Sequence, residues 1–288
     1  MYKQFDPPDD LKHLVCFFYM MEYSCLDEPL QPILPSGTEI MGWQYAGHWR
    51  VQYCNGYEPC DFLLPEFYTA GQQTSCYHLT ATTKHTGIIG AALQPGTLWQ
   101  IFKQPAEQYT QAIIETGELF AYNLLKPAIT YFREANDVQT RLQRLIAFYR
   151  ELNSTIQFEH SLVNQALEFI FDSKGCITME KLCVRMGVNE RYLQRHFKMR
   201  IGVTTQQYIQ TIRFNNAFAS LMLTQGCKKA ETTAMLYNYY DISHFNKDFK
   251  RYFGEAPTTD LLTKFSLLGD LMLETPYPLQ VQDRFSPM

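Results

Sequence analysis

Arg191, Gln194, Arg195 and Lys198 stand at i, i+3, i+4 and i+7, the spacing that places four side chains on one face of a helix. Arg carries a fork of donors that fits the edge of guanine, and a carboxamide can bond adenine through two atoms. Further along, Ser243, Asn246, Lys247 and Lys250 share the outer face of a second helical stretch. There Asn can pair with adenine, while Lys acts as a point charge without Arg's planar fork. Such faces suit the reading of nucleic-acid bases. The plain alternative is charge turned to solvent, the state of most charged helix faces.

The elements that must hold these faces repeat. Phe197-Lys198-x-x-x-Gly202 recurs as Phe249-Lys250-x-x-x-Gly254, 52 residues later, and Leu193 answers Phe245 at the same offset. Thr178 can cap a helix on which Met179, Leu182, Cys183 and Met186 recur at helical spacing. Gly187 supplies the left-handed residue that ends it, and Asn189 caps the next helix from about Glu190, with Leu193 and Phe197 facing inward. In the second copy Asn238 stands in place of Gly187 and the turn is one residue longer before the N-cap Asp241. Tyr239, Phe245 and Phe249 face inward. Two helices joined by a short turn form a helix-turn-helix, whose second helix enters the DNA major groove. Between the copies a helix is expected from about Thr205 to Leu223, opened by the Thr204/Gln207 capping-box pair and stopped at Gly226. Its length of roughly 28 Å approaches the DNA turn of about 34 Å, so it could hold two recognition helices in adjacent grooves.

Leu182-x4-Gly187, Tyr192-Leu193-Gln194-Arg195-x-Phe197-Lys198, Gly202, Tyr208, Arg213 with Ala217, and Ser243-His244-Phe245-x3-Phe249-Lys250-x3-Gly254-x2-Pro257 together resemble the DNA-binding domain of the AraC/XylS family of transcription regulators. The resemblance implies sequence-specific binding of double-stranded DNA. Base contacts are implied from Arg191, Gln194 and Arg195, and from Ile242, Ser243, Asn246 and Lys247. Lys198, His244 and Lys250 complete the DNA-binding set. It also implies RNA polymerase as a partner. Three departures lie in the second unit: Thr233-Ala234 where the family prefers Ile-Ala, Asn238 where it prefers Gly, and Lys247 where Arg is usual.

Net charge is −4 over 288 residues, the wrong sign for a protein that grips phosphate, but the charge is unevenly spread. Residues 171–262 hold 13 Lys and Arg against 8 Asp and Glu, and the remainder holds 12 against 21. A basic module joined to an acidic one fits DNA binding by the module alone. The length suggests two domains. No apolar run is long enough to span a membrane, and Met1–Asp10 lacks the apolar core of a secretory signal. The 8 cysteines include no C-x-x-C pair, so reduced, mostly buried thiols in a cytoplasmic protein are expected.

The first 117 residues read as short strands at regular spacing: Phe17–Met21, Glu39–Tyr45, Trp49–Cys54, Asp61–Leu64, Tyr68–Ala70, Ser75–Ala81 and Gly87–Leu93, with Ile33–Gly37 a strand end and turn. Asn55-Gly56 is a hairpin signal. Leu34-Pro35-x-Gly37 and Gly90-Ala-x-Leu93-x-Pro95-Gly96 resemble the β-rich sensor domains of the same family, with no ligand implied. Trp43, Tyr45, Trp49, Tyr53, Tyr57, Phe62, Phe67 and Tyr68 either fill the core, the preferred reading, or line an apolar pocket in a barrel mouth. His48, His78 and His85 fall short of a zinc ligand set, and no cofactor or metal is expected. From Glu118 the pattern turns helical, through Leu119, Phe120, Leu124, Leu125, Ile129 and Phe132. Then come a helix capped by Asp137, with Arg141, Arg144 and Arg150 turned to solvent, and a helix over Ser161–Phe171.

The expected fold is α+β: an N-terminal antiparallel β-barrel or sandwich-like domain (1–117), a helical connector (118–160), an all-α domain with two helix-turn-helix units (161–262) and a tail (263–288) carrying Leu267, Leu268, Leu271 and Met272. The function read from it is a sequence-specific transcription regulator, not an enzyme, controlled by a signal sensed in the N-terminal domain. A small-molecule effector and a homodimer are left open. The rivals are a cupin-like metal enzyme with a helical passenger, and a regulator whose N-terminal domain binds a protein.

Overall fold

The computed structural model describes residues 2–24, 31–54, 59–120, 132, 135, 137–223 and 230–253. Asn55-Gly56, Tyr57, Leu124, Leu125, Ile129, Gly226, Gly254, Pro257 and the tail with its Leu267 patch lie outside these residues.

The described strands are β1 (Tyr2–Phe5), β2 (Val15–Tyr23), β3 (Gln31–Ile33), β4 (Glu39–Ala46), β5 (Trp49–Cys54), β6 (Pro59–Leu63), β7 (Phe67–Ala70), β8 (Tyr77–Ala81), β9 (Thr86–Leu93) and β10 (Ile113–Glu115). They form a six-stranded sheet in the order β1-β2-β9-β4-β7-β10 and a four-stranded sheet in the order β3-β8-β5-β6, with antiparallel pairing. The edge strands β1 and β10 were not expected; at four and three residues they are too short to show an alternating pattern.

The larger sheet is covered on both faces, so its middle strands carry apolar residues on both sides rather than alternating apolar and polar. Phe18 and Met20 of β2, with Ile89, Ala91 and Leu93 of β9, pack against helix α3 (Val138–Thr155), which brings Leu142, Leu145, Tyr149 and Leu152. Tyr19, Met21 and Ile88 point the other way, toward Trp49, Val51 and Leu79 of the smaller sheet. The result is a sandwich backed by a helix. Asp137 caps α3 as expected, accepting from the Thr140 N–H at 2.9 Å. Through Leu142, Leu145, Tyr149 and Leu152, α3 packs on the first domain. Arg141 and Arg150 are not simply turned to solvent. Arg141 lies 4.0 Å over the Tyr45 ring, and Arg150 bonds Asp10 through two nitrogens, at 2.7 and 3.2 Å.

Two short helices, α1 (Thr97–Phe102) and α2 (Thr116–Leu119), belong to the β-rich part. Phe120, expected within a helix, is extended and ends α2. The all-α part comprises α4 (Leu162–Asp172), α5 (Met179–Met186), α6 (Glu190–Ile201), α7 (Thr205–Leu223), α8 (Ala230–Leu236) and α9 (Ile242–Phe253). The expected caps are present. Thr178 accepts from Lys181 N–H at 3.3 Å, Asn189 from Tyr192 at 2.8 Å and Asp241 from His244 at 2.7 Å. Thr204 and Gln207 close a reciprocal box at 3.0 and 3.2 Å.

Of the five cysteines whose side chains are described, Cys16 alone is buried and Cys60, Cys76, Cys176 and Cys183 are half-buried. The expectation of mostly buried thiols is thus corrected there; each of the four sits at a strand end, a turn or the rim of a helix face.

The turns confirm the offset in the repeat. Gly187 ends α5 at φ 65°, and Asn238 takes the same left-handed place after α8 at φ 56°. Its side-chain amide donates to the Cys176 carbonyl at 3.3 Å. An L-residue in this region costs about 1–2 kcal/mol, less for Asn, nothing for Gly. Thermal denaturation is expected to rank Asn238→Gly at or slightly above wild type and Asn238→Ala below it by about 1 kcal/mol.

Candidate nucleic-acid interface

Both helix-turn-helix units are built on α7. Tyr208, Ile209 and Ile212 from its first half join Leu182, Leu193, Phe197 and Ile201 in one core. Phe214, Ala217 and Phe218 from its second half join Ala234, Tyr239, Phe245 and Phe249 in another. Phe214 contacts five rings, with Tyr252 nearest at 4.5 Å between centroids. Inward residues at 193, 197, 245 and 249 fix the rotation of α6 and α9, and so turn the opposite faces outward.

On α6, Arg191, Arg195 and Lys198 are exposed and Gln194 is half-buried. The Gln194 amide donates to Glu190 at 3.0 Å, and the Arg195 guanidinium sits 5.7 Å from the Tyr192 ring. Lys198 is 2.9 Å from Glu107 of the β-rich part, a partner the sequence did not suggest. Burial, then Arg195 and Arg200, hold His196 below the usual histidine range. On α9, Ser243, Lys247 and Lys250 are exposed, whereas Ile242, His244 and Asn246 are half-buried. Ile242 packs on the second core, the His244 ring lies 5.4 Å from Tyr239, and the buried Asn246 Oδ1 has no hydrogen-bond partner among the described residues. The structure therefore gathers the first set on one outer face and leaves the second set split between surface and core edge.

A buried ion pair missed in the sequence steadies the second unit. Arg213 of α7 and Asp248 of α9 approach to 3.7 Å at side-chain exposures of 14% and 10%, and the guanidinium lies 4.4 Å over the Tyr239 ring. Burial, then the Asp248 charge, push the Tyr239 hydroxyl pKa upward.

The β-rich part docks directly on this module. Tyr208 OH donates to the Gly37 carbonyl at 2.9 Å, and Asn215 of α7 donates to the carbonyls of Pro35 and Ser36 at 3.0 and 3.3 Å. Thr110 donates to the Gly202 carbonyl at 2.7 Å, Arg200 lies 3.8 Å over Trp99, and Leu34 is part of the second core. Glu39 organises the α1 side of the contact: its two oxygens accept from the N–H groups of Gly96 and Leu98 at 3.0 and 2.7 Å. Burial pushes its carboxyl up to about 8, against the pull of those backbone donors.

Between the two sheets lies a cavity of about 160 Å³, lined by both sheets and by Asn215. Of the aromatics singled out in the sequence, Tyr68 lines it. Trp43 and Phe67 pack under α3 with Phe132 and Phe148, Trp49 packs on Tyr23, and Tyr53 packs on Phe62. Core filling is thus the fate of most of that cluster. Tyr2, Phe17, Tyr19 and Tyr77 line the cavity instead; the sequence carried no signal for this beyond their alternation on strands. Among the described residues no three His, Cys, Asp or Glu are grouped to hold a metal ion, and no helix is long and apolar enough to cross a membrane.

Paired helix-turn-helix units sharing one helix define a DNA-binding class of protein. Comparison makes the class specific: residues 182–261 match the family described as a helix-turn-helix domain, and the chain carries at its C-terminus a helix-turn-helix domain of the AraC type. Residues 3–115 match a domain of unknown function (DUF6597). Among solved structures, ToxT from Vibrio cholerae is similar over 86% of this chain and 98% of that one, at 18% identity and a TM-score of 0.47. ToxT bound to (E)-4-(8-methylnaphthalen-1-yl)but-3-enoic acid matches over 86% and 99%, at 16% identity and 0.48. ToxT with an unsaturated fatty acid bound matches over 85% and 94%, at 15% identity and 0.41. No curated protein matches significantly.

Two stability outcomes follow from the contacts. Asp248→Ala leaves a buried guanidinium without its counter-charge and is expected to cost about 3–5 kcal/mol, read as a lower denaturation midpoint with loss of the α9 signals. For Glu39, the folded pKa of about 8 exceeds the ordinary 4.5, so the unfolded chain ionises first. Stability from this group is therefore full at low pH and declines as pH rises from about 4.5 to 8. Melting temperatures across that window should fall more in the wild type than in Glu39→Gln.

Proposed function

We propose that this chain is a transcription regulator that reads a DNA sequence with the outer faces of α6 and α9, under control of a small molecule held between the sheets of its β-rich part. The observation that carries the reading is that α7 forms the cores of both helix-turn-helix units and also presents Asn215 to the cavity. A molecule there bears on the residue that ties α7 to Pro35 and Ser36. The domain type points to regulation of transcription rather than catalysis. Residues 161–262 are taken as the DNA-binding domain and 1–117 as the sensing domain.

The two faces are unequal. Arg191, Gln194 and Arg195 offer bonding groups for base edges. On α9 the freely exposed members of the set are Ser243, Lys247 and Lys250, with Asn246 drawn partly inward. Base discrimination is accordingly assigned mainly to α6, and a larger share of phosphate contact to α9. The Lys198–Glu107 pair places a carboxylate in competition with phosphate for one α6 cation.

Selection of bound DNA from a random pool tests the reading and yields the preferred site; a folded chain that enriches no sequence overturns it. On that site Arg195→Ala should cost about 1–3 kcal/mol and relax one or two base pairs. Lys247→Ala should weaken preferred and random DNA alike and flatten the salt slope by about one unit. Both variants must melt as the wild type does, and a reversed pattern removes the assignment of roles.

A further inference from the structure

One row of residues crosses the larger sheet inside the sandwich: Tyr19 on β2, Gly90 on β9, Gly42 on β4 and Tyr68 on β7, each paired with the next in register. A Cβ on Gly42 would lie 2.5 Å from the Tyr68 hydroxyl oxygen and 2.8 Å from that of Tyr19, and a Cβ on Gly90 would lie 2.6 Å from the Tyr19 hydroxyl. The two tyrosines thus lie over a strip of bare backbone that only glycine leaves open, and their hydroxyls meet above it at 2.8 Å. Both residues line the cavity.

That pair is a polar group of limited kind. Two hydroxyls bring two protons, and the bond between them uses one, so one donor is left for another acceptor. Burial raises both pKa values, so the pair stays neutral across the physiological range. The surrounding wall is mostly apolar, with Phe17, Met21, Ile40, Leu79 and Ile88 among its members; its other polar side chains are neutral, Gln4, Gln73 and Asn215 among them, and no Lys, Arg, His, Asp or Glu lines it among the described residues. A carboxylate entering here would lose its water with no counter-charge in return, a heavy penalty in an apolar site. The volume of about 160 Å³ is close to that of an apolar cavity of about 150 Å³ able to hold benzene.

We propose that the cavity binds a neutral, largely apolar molecule with the bulk of about one aromatic ring and one oxygen acceptor, seated against the Tyr19–Tyr68 hydroxyl pair, and that it rejects the matching carboxylate. This deepens the proposed sensing role of the cavity and rests on it for its regulatory meaning, though not for the binding itself.

Acetophenone, benzoate and ethylbenzene share a ring and differ in the group that decides. Binding of each to the full chain without DNA is measured by ligand-detected NMR at about pH 7.5, where benzoate is ionised. Acetophenone should bind at least about tenfold more tightly than benzoate and several-fold more tightly than ethylbenzene. In Tyr68→Phe the advantage of acetophenone over ethylbenzene should shrink while ethylbenzene still binds. Leu79→Trp, which fills the cavity, should remove acetophenone binding. Benzoate equal to or better than acetophenone overturns the proposal, as does absence of acetophenone binding up to about 10 mM or binding that survives Leu79→Trp. The wild-type comparison stands even if a variant does not fold. Acetophenone binding that leaves DNA affinity unchanged would count against the sensing role and leave the ligand class intact. Benzoate preferred together with altered DNA affinity would do the reverse.

Discussion

The burial of α7 on nearly every side is the constraint on which the rest depends. From Thr211 to Ala219 almost every residue is buried, a pattern that suits a helix inside a core rather than on a surface. A buried polar group without a partner costs free energy, and three polar side chains of this stretch make bonds that place the helix. Thr211 bonds the Tyr252 hydroxyl at 3.2 Å, Asn216 turns back to the Ile212 carbonyl at 2.8 Å, and Asn215 reaches out of the module to Pro35 and Ser36. These bonds fix the rotation of α7, which in turn fixes the two recognition helices relative to each other.

The same constraint makes the β-rich part a structural member of the DNA-binding module. Leu34 sits in the core of the second unit beside Phe214 and Phe218, and Gly37 lies against Tyr208 and Ile212. Separation of the two parts would expose apolar surface and strip Asn215 and Tyr208 of their acceptors. Around this apolar centre the contact is ionic: Lys198–Glu107 and Lys103–Glu159 are exposed, whereas Arg200 meets the exposed Glu159 from a largely buried position. Exposed pairs of this kind contribute little to stability and exchange readily for other anions. The apolar centre of the interface therefore holds the two parts together more than its ionic rim does.

Inside the sandwich, two glycines in adjacent strands do work that a side chain would prevent. Gly42 and Gly90 weaken their strands by the usual measure, yet they make room for two tyrosine rings to lie flat and share a hydrogen bond. The cost in strand stability is offset by a strongly covered sheet, with α3 on the opposite face and the smaller sheet in front. The Tyr19 and Tyr68 rings reach over this bare backbone and line the cavity there.

The sequence by itself determined the elements and the architecture of the all-α part, because the signals there are local. Caps at Thr178, Asn189, Thr204 and Asp241 act within three residues, and the 52-residue repeat of inward apolar residues states the same local structure twice. The basic face of α6 was legible for the same reason, since helical spacing alone places Arg191, Gln194, Arg195 and Lys198 together. Tertiary structure alone decided what depends on contacts between distant residues. Which aromatics fill the core and which line the cavity is set by strand pairing: Trp43 and Tyr68 lie 25 residues apart in sequence but on opposite faces of one sheet. The partnership of Lys198 with Glu107, the reach of Asn215 to Pro35 and the Arg213–Asp248 pair join segments 35 to 180 residues apart. No periodicity or cap records such pairs, because they arise only once the cores have set the helices against the sheets.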